Sequence, residues 1–331
     1  MSGVLVVGDA LLDVDVAGRV ERTTPDAGLP VLDVTDEVER PGGAALAAAL
    51  LAESGVPVTF VTALCADEAG RRLHTLVSRT VDVVVGPGEG GTVVKTRLAG
   101  LARVDRGDGR PAPHFGAAVD PRLRAALPDV GAVLVSDYGR GVAADPAVRA
   151  ALATAVRAGV PVVWDPHPRG PAPVPGVTVA TPNLAEARAV AAGGGPDQVG
   201  RAVLRSWSAE AVAVTCGAQG AVLVRASGAA VSVAAPRVSG GDPCGAGDAF
   251  AGGLAAALAD GLGCADAVRH AVRHAAGFVG RGGAGGFRSR RTGGAPPRAG
   301  RTSCSPTPPV DAATRSPTTP TRPCSASTST R

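Results

Sequence analysis

Five short runs of branched aliphatic residues, each closing on a polar or turn residue, most constrain how this chain folds. They are Val4–Val7 before Gly8-Asp9, Val58–Thr62, Ala132–Ser136 before Asp137, Val162–Trp164 before Asp165, and Val212–Thr215 before Cys216-Gly217. Ala/Leu-rich stretches of helical length lie between them, such as Ala44–Ser54, Ala144–Ala158 and Asp248–Asp260. Strand alternating with helix predicts an α/β fold, a mostly parallel sheet covered by helices on both faces. Ligands of such sheets sit beyond the carboxyl ends of the strands, where these polar residues fall. Residues 14–40 and 92–105 break the alternation. Their extended segments Val31–Val34, Thr92–Leu98 and Leu101–Val104 predict a small sheet projecting from the main domain as a lid.

Aromatic residues make up 2% of the 331, so the core must be built from small aliphatic side chains. The formal charge of +4 is unevenly spread. Beyond residue 280 nine arginines stand against Asp311, giving +8, which leaves residues 1–280 at −4. A mildly acidic body argues against nucleic-acid binding. From Gly282 onward Thr, Ser, Pro and Arg dominate without hydrophobic period. Residues 286–331 therefore read as a disordered tail or the product of a shifted reading frame, and residues 1–285 as the catalytic domain. The cysteines (65, 216, 244, 264, 304 and 324) form no C-x-x-C pair, which disfavours a zinc site and a disulfide scaffold. Val4–Val7 is too short for a signal peptide or membrane span, so a cytoplasmic setting with no membrane partner is expected.

The most informative stretch is Gly240-Gly241-Asp242-Pro243-Cys244-Gly245-Ala246-Gly247-Asp248-Ala249-Phe250. Its glycines precede a helix whose apolar residues recur at Phe250, Leu254 and Leu258. Small residues at a helix start let backbone N–H groups approach a ligand, and the helix dipole favours an anion. Asp248 stands where a carboxylate takes a proton from an attacking hydroxyl. One carboxylate beside an anion hole is a sufficient kit for phosphoryl transfer, which needs mainly positioning and charge stabilisation.

Asp242–Phe250 resembles the C-terminal signature of the ribokinase-like (PfkB) carbohydrate kinases. Gly8-Asp9-Ala10-Leu11-Leu12-Asp13 resembles their opening strand and sugar-binding aspartate, and Arg40-Pro41-Gly42-Gly43-Ala44-Ala45 their di-glycine motif. Within that family the heptose 7-phosphate kinases are most similar, through Thr24-Pro25-Asp26-Ala27, Lys95-Thr96-Arg97, Ser136-Asp137-Tyr138-Gly139-Arg140-Gly141, Thr181-Pro182-Asn183-Leu184-Ala185-Glu186 and Val214-Thr215. These words keep family order over roughly residues 4–280.

The resemblance implies a three-layer α/β/α sandwich with a β lid, ATP and Mg²⁺ as cofactors, a role for K⁺, and a homodimer. It implies Asp248 as base and Gly245, Ala246 and Gly247 as the cradle of the γ-phosphate. Asn183 and Glu186 would organise Mg²⁺, through water, and the nucleotide phosphates. The same pair also has the spacing of a helix capping box. Thr215, Gly217 and Gly220 would line the nucleotide site, or simply turn the chain between two strands. Asp13, Gly42 and Gly43 would contact sugar hydroxyls, and Lys95 and Arg97, on one face of a strand, the phosphate already on the sugar. Asp242 would take a monovalent-cation or structural role. The implied reaction is phosphorylation of D-glycero-β-D-manno-heptose 7-phosphate at O1. The alternatives are a kinase for ribose, fructose or fructose phosphate, and an inactive homologue.

Four positions depart from the family. Leu46 replaces an asparagine near the substrate, Pro243-Cys244 replaces a Val/Thr-Thr pair, and His274 stands where an asparagine near adenine is expected. No H-x-G-H motif is present, so a nucleotidyltransferase domain is not expected. Gly8-Asp9-Ala10-Leu11 lacks the glycine pattern of dinucleotide-binding oxidoreductases, and Val94 before Lys95-Thr96 excludes a Walker-type NTPase.

Overall fold

The computed structural model describes residues 2–286. The first half runs β1 (Gly3–Gly8), β2 (Ala10–Thr23), β3 (Pro30–Gly43), α1 (Ala44–Glu53), β4 (Val58–Leu64), α2 (Glu68–Val77), β5 (Asp82–Glu89), β6 (Val94–Leu98), β7 (Ala102–Arg106), β8 (Arg110–Pro111) and α3 (Phe115–Ala126). The second runs β9 (Val130–Ser136), α4 (Pro146–Arg157), β10 (Val162–Asp165), β11 (Val179–Ala180), α5 (Leu184–Val190), α6 (Pro196–Trp207), β12 (Ala211–Thr215), β13 (Ala221–Arg225), β14 (Val231–Val233), α7 (Ala246–Ala259), α8 (Cys264–Gly280) and α9 (Gly283–Gly286).

Ten strands form the main sheet in the order β14-β13-β12-β11-β10-β9-β1-β4-β5-β8. From β12 to β5 every pairing is parallel, and antiparallel partners close both edges. Each buried strand feeds two cores, because successive side chains point to opposite faces. Val4 and Val6 of β1 pack with α1, α7 and α8, whereas Leu5 and Val7 pack with α3, α4 and α6. Parallel register brings the carboxyl ends of neighbouring strands level, with Gly8 and Asp165 both paired to Ser136. Asp9, Asp137, Asp165 and Thr215 therefore share one edge of the sheet.

Two expected helices start elsewhere. The stretch Ala144–Ala158 becomes helical only from Pro146, because Asp145 accepts from the N–H groups of Ala147 and Val148 and proline suits the first helical position. Helix α7 begins two residues before Asp248, after a left-handed Gly245. The segments expected to form a lid lie in a second, four-stranded sheet, β3-β2-β6-β7, broader than expected from sequence. Strand β2 starts one residue after β1, and β3 runs into α1. Thr24–Ala27 forms the tip of the β2–β3 hairpin, about 30 Å along the strand from Asp13, so this word lies away from the sheet edge of its own chain. Among the described residues no helix is long and apolar enough to cross a membrane. The expected tail, residues 286–331, lies outside the described residues except for Gly286.

Candidate active site

The start of α7 is built for close approach. Gly245 has φ 80°, and a Cβ there would stand 2.9 Å from Leu46 Cδ2. A left-handed residue this crowded is tolerated only as glycine. At Gly247 an added Cβ would meet nothing within 4 Å, so the first turn faces open space. A first helical turn offers backbone donors without intrahelical partners, and its dipole favours an anion.

Asp248 follows in that turn and is 5% exposed. Tyr138 Oη donates to it, 2.9 Å from each carboxylate oxygen. Burial pushes the Asp248 carboxyl up to about 7; the Tyr138 bond and the Lys95 charge pull the other way, and Asp13 adds to the rise. A carboxyl that titrates near neutrality suits a proton acceptor. Tyr138 is placed by Asp9, whose carboxylate accepts from the N–H groups of Tyr138, Arg140 and Val142 at 3.0 Å each.

Asp248 opens into a cavity of about 210 Å³ shared with Tyr138, Asp165, Thr181, Asn183, Glu186, Thr215 and the 245–247 turn. Thr181 Oγ1 donates to Asp165 at 2.8 Å. Burial, reinforced by the Asp248 charge, holds the Asp165 carboxyl well above the usual range. Asn183 caps α5 in a full capping box: its side chain accepts from Ala185 and Glu186, and Glu186 accepts from the Asn183 N–H, all at 2.9 Å. The local role and the place in the cavity thus coexist. Thr215 bridges to Asn183 and also lines a second, larger groove of about 820 Å³. Gly217 and Gly220 of the β12–β13 turn line it too, with Gly240, Gly241, Val272, Ala276 and Val279. Its apolar walls suit an aromatic base. Thr215, Pro243, Ala246, Gly247 and Phe250 line both cavities.

The lid contributes an ionic network. Arg40, 2% exposed, binds Asp13 at 2.8 Å and Asp15 at 2.7 Å. The other oxygen of Asp13 is buried and makes no hydrogen bond among the described residues. A Cβ at Gly42 would stand 2.7 Å from Asp13 Oδ2, so glycine there makes room for that carboxylate; Gly43, with φ 60°, turns the chain into α1. Lys95 and Arg97 do share a face, opposite Asp13 and Asp15 in the register, but their situations differ. Arg97 is engaged by Asp15 at 3.2 Å and by the Cys244 sulfur at 2.8 Å. Lys95 has no ion pair among the described residues; its Nζ lies 5.1 Å from the centre of the Tyr138 ring, and burial lowers its pKa.

The departures gain physical reasons. Leu46 is buried with Phe278 and Ala284 and supports Gly245 from behind, so it packs the turn that opens α7. His274 does not line the 820 Å³ groove; it stacks on His270 beside α1 and α7. Asp242 accepts from the Cys244 N–H at 2.9 Å and holds the loop ahead of Gly245. Tyr138, Asp165, Asp9 and Thr181 carry weight that sequence reasoning did not assign. Three of them follow the carboxyl ends of β1, β9 and β11, and Asp165 ends β10.

The donor set fits Mg²⁺. Among the described residues no group of three His, Cys, Asp or Glu side chains could hold a metal. Mg²⁺ in kinase sites typically rests on one or two carboxylates plus water and phosphate. The crowded acceptors Asp165, Glu186 and Asn183 offer that, and a cation would relieve the burial of Asp165.

Fold and site define an ATP-dependent carbohydrate kinase. The chain belongs to the pfkB family of carbohydrate kinases, which residues 1–290 match. It is 43% identical over 292 residues to the bifunctional protein HldE of Streptomyces coelicolor, covering 85% of this chain and 60% of that protein. It is 37% identical to the HldE of Paramagnetospirillum magneticum, covering 83% and 59%. The chain thus spans about three fifths of the curated relatives it matches. Phosphofructokinase-2 of Escherichia coli shares the fold at TM-score 0.65 and 18% identity, over 84% of this chain and 94% of that one. Arabidopsis thaliana ribokinase, solved with ribose and ATP, does so at 0.62 and 20%, over 84% and 92%.

Proposed function

We propose that residues 1–285 transfer the γ-phosphate of ATP to O1 of D-glycero-β-D-manno-heptose 7-phosphate, giving the 1,7-bisphosphate. The observation that carries this is the buried Asp248 carboxylate beside the open turn Gly245-Ala246-Gly247, where two cavities meet. In this reading the adenine and ribose of ATP occupy the larger groove, with Thr215, Gly217 and Gly220 along it. Asp248 takes the proton from the sugar hydroxyl, the freed oxygen bonds to the terminal phosphorus, and the bond to ADP breaks. The amides of Gly245–Gly247 meet the charge of the group in transit. Mg²⁺, held by Asn183 and Glu186 through water with Asp165 beside them, would neutralise phosphate charge. Asp13, Gly42 and Gly43 bind sugar hydroxyls, and the unpartnered Asp13 oxygen supports this.

Lys95 is the lid cation that best serves the phosphate already on the sugar, since Arg97 is spent on Asp15 and Cys244. The sugar itself rests on the heptose-kinase likeness of Ser136–Gly141 and Thr181–Glu186. Structural holding of the loop is the role supported for Asp242, ahead of a K⁺ site. The lid also suits self-association as a homodimer, because Val20, Leu29 and Val34 are exposed on it. Steady-state assays with Mg·ATP and heptose 7-phosphate, ribose, fructose and fructose 6-phosphate test the proposal. Turnover of the heptose phosphate above the others is expected. Preference for ribose or fructose would replace the substrate, and no turnover of any would leave an inactive homologue.

A further inference from the structure

We infer that Tyr138 is a positioning residue for Asp248, its phenol holding the carboxylate in its charged, outward-facing form. The inference deepens the kinase reading and rests on it. The phenolic oxygen is 2.9 Å from both Asp248 oxygens, so it can keep one while the other receives a proton. The residue itself is fixed from three sides. Asp9 grips its main-chain N–H, Lys95 lies over the ring, and His167 stacks against it at 6.4 Å. A phenol gripped this way sits in place before substrate arrives, and a pre-placed donor costs no reorganisation when the base works.

The surroundings explain why a donor is needed. The titratable groups around Asp248 are Asp13 from β2, Lys95 from β6, Tyr138 beyond β9 with Asp137 and His167 near it, and Asp165 from β10, with Glu186 of α5 behind. Strand β1 and the first turns of α1 bring no charge, and α8 presents His270 and His274 on the far flank, against Gly253. Burial, with the Asp13 carboxylate adding to it, opposes ionisation of Asp248. Lys95 and the Tyr138 hydroxyl favour it. A hydrogen bond to a charged group in a buried site shifts its titration by about one pH unit or more.

The chain has a single tyrosine, which makes the contact directly observable. Tyrosine labelled with ¹³C at the ring carbon bearing oxygen gives one resonance in the whole protein. That resonance should move with a midpoint near pH 7 in the wild type and lose this step in Asp248→Asn. In parallel, Tyr138→Phe should shift the acidic limb of the kcat profile upward by about one pH unit. It should run about fivefold below wild type at pH 7 and regain most of its rate at pH 9, with KM for ATP unchanged. A resonance flat between pH 5 and 9, or a Tyr138→Phe rate reduced equally at every pH, overturns the inference. A normal tyrosine step with no turnover on any sugar phosphate overturns the kinase reading instead, and the positioning role with it.

Discussion

The guanidinium of Arg97 donates to the Cys244 sulfur at 2.8 Å, joining the lid sheet to the loop that leads into Gly245. The same side chain holds Asp15. Cys244 therefore serves as an acceptor, and the threonine usual at this position in the family can do the same. Cys244→Thr should keep turnover within about twofold, while Cys244→Val strands a donor and costs about 1 kcal/mol. Thermal melting and sugar-phosphate kinetics of the pair check this. Equal behaviour of both variants would remove the contact from consideration.

Asp248→Asn should cut kcat by about 10²–10⁴-fold with ATP binding retained, the range for loss of a general base. Stability should move the other way. The folded carboxyl titrates at about 7 against 3.8 for the free group, so the folded chain holds the proton more tightly. Its charge costs nothing below pH 3.8 and the full amount above pH 7. The asparagine variant should therefore gain about 1–3 kcal/mol at pH 8 and nothing at pH 3.5. Denaturant titration at the two pH values measures the difference.

Gly245→Ala and Gly247→Ala should fail for different reasons. At Gly245 the positive φ and the Leu46 contact strain any side chain, so the protein should lose about 1–3 kcal/mol. At Gly247 the backbone is helical and the space is empty, so the melting temperature should hold or rise slightly. Turnover should fall in both, because the methyl at 247 intrudes on the phosphate. A fully active Gly247→Ala would empty that turn of its assigned role.

Arg40→Ala leaves the buried Asp13 carboxylate without its counter-ion. A loss of about 3–5 kcal/mol is expected, the range for breaking a buried pair by removing one partner. Arg40→Lys should recover part of it, since one ammonium cannot serve Asp13 and Asp15 with the same fork. Urea unfolding of the two variants reads the ranking.

The sheet was legible because β-branched runs such as Val4–Val7 and Val162–Trp164 carry their burial in their composition. The turn that opens α7 was legible because Gly245 and Gly247 precede an apolar helical period. The partner of Asp248 was not. Tyr138 lies 110 residues away, and no periodicity joins a residue after β9 to one on α7. Arg97 shows the complementary limit. Its charge and strand face could be read, but not that Asp15 and Cys244 would use its donors first. His274 matches a family position by count, and α8 carries it beside His270, off the lining of the 820 Å³ groove. Leu46 looked like a lost polar contact and is instead the wall behind Gly245.

Strands β2 and β3 leave the main sheet with no loop between them and its core: one residue separates β1 from β2, and β3 passes directly into α1. The β2–β3 hairpin is thus rooted directly in the main domain, beside Asp13 and Gly42. Asp13 and Gly42 lie on the same continuous strands as that distant tip, and Gly43 joins the ribbon to α1. A partner held at Thr24–Ala27 would be joined to the proposed sugar site by two unbroken strands.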